Sequence, residues 1–221
     1  MIEAVLFDLF ETLITETHIR PTRASSLAPA LGIEPGAYRT EWKARRPRVV
    51  LGRLSFADAL AEVSQTLAGK VDRAAVEGIR QQRIREKAAA YAPVDDGIQA
   101  VVGELVRRGI RLGVISNAFK EDVLSWSTCP LASAFMCTLF SCDEGLAKPD
   151  PEIYLRAMRR LGARRGTTLY VGDGAENELA GAGRAGIRSC RAAWFVPPSS
   201  QQRPWPELPR CEDVLDVVAA G

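Results

Sequence analysis

Three short apolar runs, each ending in a polar residue, constrain this 221-residue chain more than any other feature. Residues 4–7 run into Asp8, residues 111–115 into Ser116 and Asn117, and residues 168–171 into Gly172 and Asp173. Continuous apolar segments of this length, bounded by polar residues or glycine, read as strands buried on both faces. Such strands belong to parallel sheets covered by helices.

Helical periodicity lies between the runs. Residues 98–108 place Ile98, Val101, Val102, Leu105 and Val106 on one face. Residues 151–161 open with Pro151 at the first helical position, after Asp150 as N-cap, and close at Gly162. Residues 176–185 follow the third run and close before Gly186. Weaker strands are expected at 138–141 and 187–190, and a last short helix at 213–218. Strand and helix alternate, which predicts an α/β fold with a doubly wound, Rossmann-like parallel sheet.

Residues 16–92 have no good strand, and helical patterns dominate, for example over 56–67 and 71–90. A mostly helical subdomain of residues 16–92 is therefore expected, inserted into a core of residues 1–15 and 93–221. Residues 199–209, rich in proline, serine and glutamine, read as an irregular surface segment.

Composition narrows the function classes. The net charge is only +2, so nothing calls for nucleic acid or an acidic membrane surface. No stretch approaches the roughly 20 apolar residues of a membrane span, and the first residues lack the basic start of a signal peptide. Five cysteines, with no C-x-x-C pair and His18 far from all of them, indicate neither a zinc site nor a disulfide framework. A reducing cytoplasm is the expected setting.

In a doubly wound sheet the carboxyl ends of the strands share one edge, and ligands bind there. Asp8, Ser116 and Asp173 should therefore meet. The segment from Gly145 to Pro151 opens a helix on the same edge and can bring Lys148 to them. Two carboxylates at close range repel unless a cation lies between them, and Mg²⁺, a hard cation that takes carboxylate, carbonyl and water oxygens, is the natural candidate. Lys148 and the Ser116 hydroxyl would then face an anion, most naturally a phosphoryl group. Asp8 as nucleophile would form an aspartyl-phosphate. Plainer readings exist: Asp173 and Glu176 also fit a capping box, Ser116 and Asn117 also fit a helix cap, and Lys148 also fits a solvated loop.

Taken together, these segments resemble the motifs of the haloacid dehalogenase-like hydrolase superfamily. Phe7-Asp8-Leu9-Phe10-Glu11-Thr12-Leu13 is similar to its first motif, Val114-Ile115-Ser116-Asn117 to the second, Lys148-Pro149 to the third, and Val171-Gly172-Asp173-Gly174-Ala175-Glu176-Asn177-Glu178 to the fourth. The resemblance implies Asp8, Ser116 and Lys148 as catalytic residues. It implies Asp8, the main-chain carbonyl of Phe10 and Asp173 as Mg²⁺ ligands, and Thr12 and Asn117 near the substrate. It also implies that the helical insert is a mobile cap.

Two departures matter. Phosphatases of the family carry an acid two residues after the nucleophile, where this chain has Phe10. Glu11 is a poorly aimed substitute, and His18, near the expected hinge, another candidate. Glu178 stands for the usual aspartate of the fourth motif and could reach the metal through a water. Phe10 and Tyr154 suit the dehalogenases of the family, in which the carboxylate displaces halide from carbon without metal. Asp173 does not suit them, so phosphoryl transfer is favoured. Dehalogenation and a non-catalytic binding role remain the alternatives. The expected partner is a small anionic molecule, with Arg45 or Arg48 of the basic stretch near Trp42 as its contact. The chain is expected to act as a monomer or homodimer.

Overall fold

The structure is a computed structural model, describing residues 1–17, 19, 24–196 and 204–221. In chain order the elements are β1 (Ala4–Phe7), α1 (Ala24–Ala30), α2 (Pro35–Val50), α3 (Phe56–Ala68), α4 (Arg73–Ala90), α5 (Asp96–Arg107), β2 (Arg111–Ser116) and α6 (Lys120–Val123). They continue with β3 (Cys137–Phe140), α7 (Ser141–Glu144), α8 (Pro151–Leu161), β4 (Thr168–Gly172), α9 (Glu178–Arg184), β5 (Arg188–Ala192), β6 (Glu207–Leu208) and α10 (Asp213–Ala220). The strands form one parallel sheet in the order β3-β2-β1-β4-β5-β6. No helix among the described residues is long and apolar enough to cross a membrane.

The apolar runs are buried on both faces, as their lack of alternation requires. Val5, Phe7, Leu112, Val114, Leu169 and Val171 face one cluster with Ile98, Val101 and Leu105 of α5 and Val214 of α10. Leu6, Ile115 and Tyr170 face the other, with Ile153, Tyr154, Ala157 and Leu161 of α8 and Leu179 of α9. Phe7 pairs with Val114 on one side and Val171 on the other. That register brings the residues after all three strands to one edge.

Helix boundaries follow their caps. Asp95 accepts from the Ile98 N–H at the start of α5, and Asp150 accepts from the Glu152 N–H with Pro151 at the first position of α8. Each such cap contributes about 1 kcal/mol. The helix expected from Glu176 starts later. Ala175–Asn177 is a 3₁₀ turn in which Glu176 (φ 51°) and Asn177 (φ 59°) are left-handed, and α9 begins at Glu178. No capping box forms there: Asp173 Oδ1 accepts from the Ala175 N–H, but Glu176 turns elsewhere. The segment expected to be irregular contains β6, paired to β5, while residues 197–203 lie outside the described ones. His18 lies outside them too.

Helices α1 to α4 pack around their own apolar cluster, including Tyr38, Trp42, Leu60, Val63 and Ile79. Phe119, from the loop after β2, is buried in the same cluster. The loop after α2 rests directly on α7. A Cβ at Gly52 (φ +66°) would lie 2.0 Å from the Cys142 carbonyl oxygen, so only glycine allows this approach.

Candidate active site

Asp8 leaves β1 with its N–H still bonded to Val171 O at 2.8 Å, so the sheet itself holds the residue. Its side chain is buried. The chain then turns tightly: the Leu13 and Ile14 N–H groups both donate to Leu9 O, and Glu11 is left-handed at φ 56°. The turn uses the Glu11 carboxylate, which accepts from the Glu16 N–H at 2.8 Å and from Thr15 Oγ1 at 3.0 Å. Glu11 lines the cavity, but its oxygens brace the loop.

Lys148 reaches Asp8 across the sheet edge. Its Nζ donates to Asp8 Oδ1, to Glu178 Oε2 at 2.5 Å and to Tyr170 OH at 3.2 Å. These account for all three ammonium donors. Tyr170 OH donates in turn to Glu178 Oε2 at 2.6 Å, and the Gly174 N–H donates to Glu178 Oε1 at 2.9 Å. Glu178 is thus a fully buried counter-charge of the lysine, a role the sequence motif alone did not assign. Gly172 makes the room: a Cβ there would stand 2.2 Å from Glu178 Oε1.

Asn117 holds the lysine by its main chain. Its Nδ2 donates to Lys148 O and its Oδ1 accepts from the Lys148 N–H, both at 2.8 Å. Nδ2 also meets Glu176 Oε2 at 2.5 Å. Asn117 lines the site, but its amide is engaged with protein.

Asp8, Asp173 and Glu178 can bring one carboxylate oxygen each within 4.8 Å of one another. Burial raises the Asp8 carboxyl, Lys148 opposes the rise, and Glu178 and Asp173 reinforce it, leaving a pKa of about 8. Asp173 rises to about 6, first through burial and then through Glu178, against the Ala175 N–H. Burial works against the Lys148 ammonium, yet Asp8 and Glu178 outweigh it and raise its pKa. Asp8 and Glu178 thus share one lysine, and Asp173 adds a third carboxylate beside them. The donor set, all hard oxygens carrying excess negative charge, fits a divalent cation.

A cavity of about 240 Å³ opens over this cluster, lined by Asp8, Phe10, Glu11, Ser116, Asn117, Lys148, Asp173, Ala175, Glu176 and Glu178. A second, of about 290 Å³, shares Phe10 and Asn117 with it and is lined further by Glu16, Leu27, Trp42, Arg46, Phe56, Arg83, Lys87, Phe119 and Asp122. Asp8, Phe10, Ser116, Asn117, Lys148 and Asp173 therefore come together.

Thr12, Arg45 and Arg48 do not join them. Thr12 is buried beside the turn, and its carbonyl accepts from Trp194 Nε1 at 2.8 Å. Arg45 pairs with Glu41 and Glu62, and Arg48 with Glu62. Arg46 lines the second cavity instead and meets Glu176 Oε1 at 2.6 Å. Trp42 carried the signal for this: Arg46 lies one helical turn after it, on the same face of α2, whereas Arg45 and Arg48 turn toward α3. Tyr154, buried under the site, donates to Glu178 O at 2.8 Å.

Comparison with known proteins gives the family. The family model of haloacid dehalogenase-like hydrolases matches residues 2–186, which contain every residue of the cluster. The chain is 27% identical to the glyceraldehyde 3-phosphate phosphatase of Methanopyrus kandleri, over 99% of this chain and 97% of that one. It is 28% identical to pyrophosphatase PpaX of Oceanobacillus iheyensis, over 73% of each. In fold it is similar to a 2-haloacid dehalogenase from Pseudomonas syringae, with a TM-score of 0.72 at 23% identity, covering 100% of this chain and 99% of that one. The chain belongs to the haloacid dehalogenase-like hydrolase family.

Proposed function

We propose that this hydrolase is a Mg²⁺-dependent phosphatase of a small anionic metabolite and acts through an aspartyl-phosphate on Asp8. The carrying observation is the cluster of Asp8, half-buried Asp173 and Glu178, three carboxylates with one ammonium, Lys148, paired to Asp8 and Glu178. Asp8, Asp173 and the main-chain carbonyl of Phe10 are the groups that would hold Mg²⁺. When bound, the ion would offset the crowded carboxylates and draw charge from the phosphoryl oxygens.

Asp8 supplies the oxygen that attacks phosphorus, held in place by β1 and Lys148. The Ser116 hydroxyl binds a non-bridging oxygen, where charge accumulates, and Lys148 sets its positive charge beside the attacking Asp8 oxygen. Asn117 keeps Lys148 aimed by gripping its main chain. The relatives named as phosphatase and pyrophosphatase support phosphoryl chemistry. Residues 16–92 would act as a cap closing over residues 1–15 and 93–221, excluding water and selecting the substrate. The setting would be a reducing cytoplasm, where the five free cysteines stay thiols.

Phe10 supports a second reading: attack of Asp8 on carbon with loss of halide and no metal. Asp173 weighs against it, because a cation held there would engage the carboxylate that must attack. Hydrolysis of p-nitrophenyl phosphate, with Mg²⁺ or EDTA, tests the choice. Turnover should need Mg²⁺ and fall by more than about 10³-fold in Asp8→Asn. Metal-free turnover of a 2-haloacid would replace the phosphatase reading with dehalogenation.

A further inference from the structure

The two cavities meet at an aromatic ring with a cation beside it. Phe10 lines both cavities. Its ring packs edge-to-face on Tyr91, with centroids 6.2 Å apart, and Lys87 of α4 places Nζ 4.1 Å from the ring centroid. Glu16 anchors that ammonium, with Oε1 2.7 Å from Nζ.

The carboxyls nearby have other work. Glu11 braces the turn. Glu176 is held by Asn117 and Arg46. Burial opposes its ionisation, but these two partners outweigh burial and lower its pKa, which makes it a poor proton donor. Asp122 is gripped by Arg83 through Nε and NH2, at 2.7 and 2.9 Å, and accepts from the Phe119 N–H. Glu178 is paired with Lys148, and Asp173 lies with Asp8 and Glu178 in the carboxylate cluster. Among the described residues lining the two cavities, Glu11, Glu16, Glu176 and Asp122 are each held by a protein partner, and Asp173 would be taken up as a Mg²⁺ ligand, so none is free to protonate a departing oxygen.

We infer that the substrate is a phosphoric anhydride, whose leaving group departs as a stable oxyanion, and that Lys87 receives that oxyanion in the second cavity. The inference rests on the phosphatase reading above. An oxygen of Asp8 bonds to phosphorus, the bond from phosphorus to the bridging oxygen breaks, and its electron pair leaves with that oxygen as a phosphate or carboxylate anion. No proton is required, because such a group is a weak base. Water then attacks phosphorus, the Asp8 carboxylate leaves with its bonding pair, and both protons of the water depart on inorganic phosphate. An alkyl phosphate has no equivalent route, since its alkoxide would have to leave unprotonated beside Phe10. Lys87 gives the oxyanion a fixed positive charge.

The test compares phosphate release from acetyl phosphate, inorganic pyrophosphate and glycerol 3-phosphate, with Mg²⁺ and with Asp8→Asn as the blank. Wild-type kcat/KM should be at least about a hundredfold higher on the better anhydride than on the alkyl ester. Phe10→Asp should narrow that gap. Acetyl phosphate and pyrophosphate separate a carboxylate leaving group from a phosphate one. Lys87→Met should lower the ratio of anhydride to p-nitrophenyl phosphate turnover about tenfold, and Lys87→Arg should restore it. The ratio, taken within one preparation, does not depend on how much of the variant is folded. Equal wild-type rates on anhydride and alkyl ester would overturn the inference and leave the phosphatase reading standing. An unchanged ratio in Lys87→Met would overturn the role of Lys87. No Asp8-dependent release from any phosphoryl compound would overturn both readings.

Discussion

Lys148 and Glu178 form a buried ion pair across the sheet edge, with Nζ 2.5 Å from Oε2 and side chains only 5% and 1% exposed. Glu178 therefore positions the lysine that faces Asp8. Removing one partner of a buried pair strands the other charge and costs roughly 3–5 kcal/mol. Glu178→Ala should lose stability on that scale, read as a lower urea midpoint. Glu178→Gln, which keeps an acceptor, should lose less. Equal midpoints for wild type and Glu178→Ala would show that the pair does not hold the site together.

Without metal, the crowded carboxylates should make stability depend on pH. The folded pKa of Asp8, about 8, and of Asp173, about 6, both lie above the 3.8 of an ordinary aspartate. Between those values the folded state holds protons that the unfolded state has released. Stability should then fall as pH rises from about 4 to about 8, and level off above. In EDTA the melting temperature should drop across this window, and Asp8→Asn should flatten the drop. Mg²⁺ should raise the melting temperature more at pH 8 than at pH 5, because its ligands must be deprotonated.

Arg46 and Glu176 join α2 to the turn before α9 at the mouth of the site. Both side chains are substantially exposed, so the pair should be worth less than about 1 kcal/mol. Arg46→Ala should barely change the melting temperature but should change KM. Arg45→Ala and Arg48→Ala, whose partners lie on α2 and α3, should leave KM unchanged. The opposite ranking in steady-state kinetics would return substrate contact to Arg45 or Arg48.

Gly52 seats the helical unit on α7. A side chain there meets the Cys142 carbonyl and also strains a left-handed residue. Gly52→Ala should cost at least about 2 kcal/mol, or lift the helices from the core. Denaturant melts would show the first outcome and faster proteolysis between α2 and α3 the second.

The local pattern of the chain carried much of this architecture. Residues 4–7, 111–115 and 168–171 read as doubly buried strands, and they are strands. Parallel strands place their carboxyl ends together, so Asp8, Ser116 and Asp173 were bound to share an edge. Asp150, Pro151 and Gly162 marked α8 through backbone chemistry that acts over a few residues. Short-range rules misjudged the start of α9, because Glu176 and Asn177 adopt left-handed conformations that no cap motif announces.

Tertiary structure decided what such patterns cannot reach. Glu178 was legible as an acid of the fourth motif, but its pairing with Lys148 spans 30 residues and depends on the space left by Gly172. Lys87 reaches the Phe10 ring only because α4 folds back onto the first loop. Arg46, and not Arg45 or Arg48, faces the site because of the rotation of α2 about its axis, which the burial of Trp42 sets. Strand and helix identity depends on each residue and its near neighbours. The partner of a charged side chain depends on which distant surfaces the fold brings together, and that is written in no single segment of the chain.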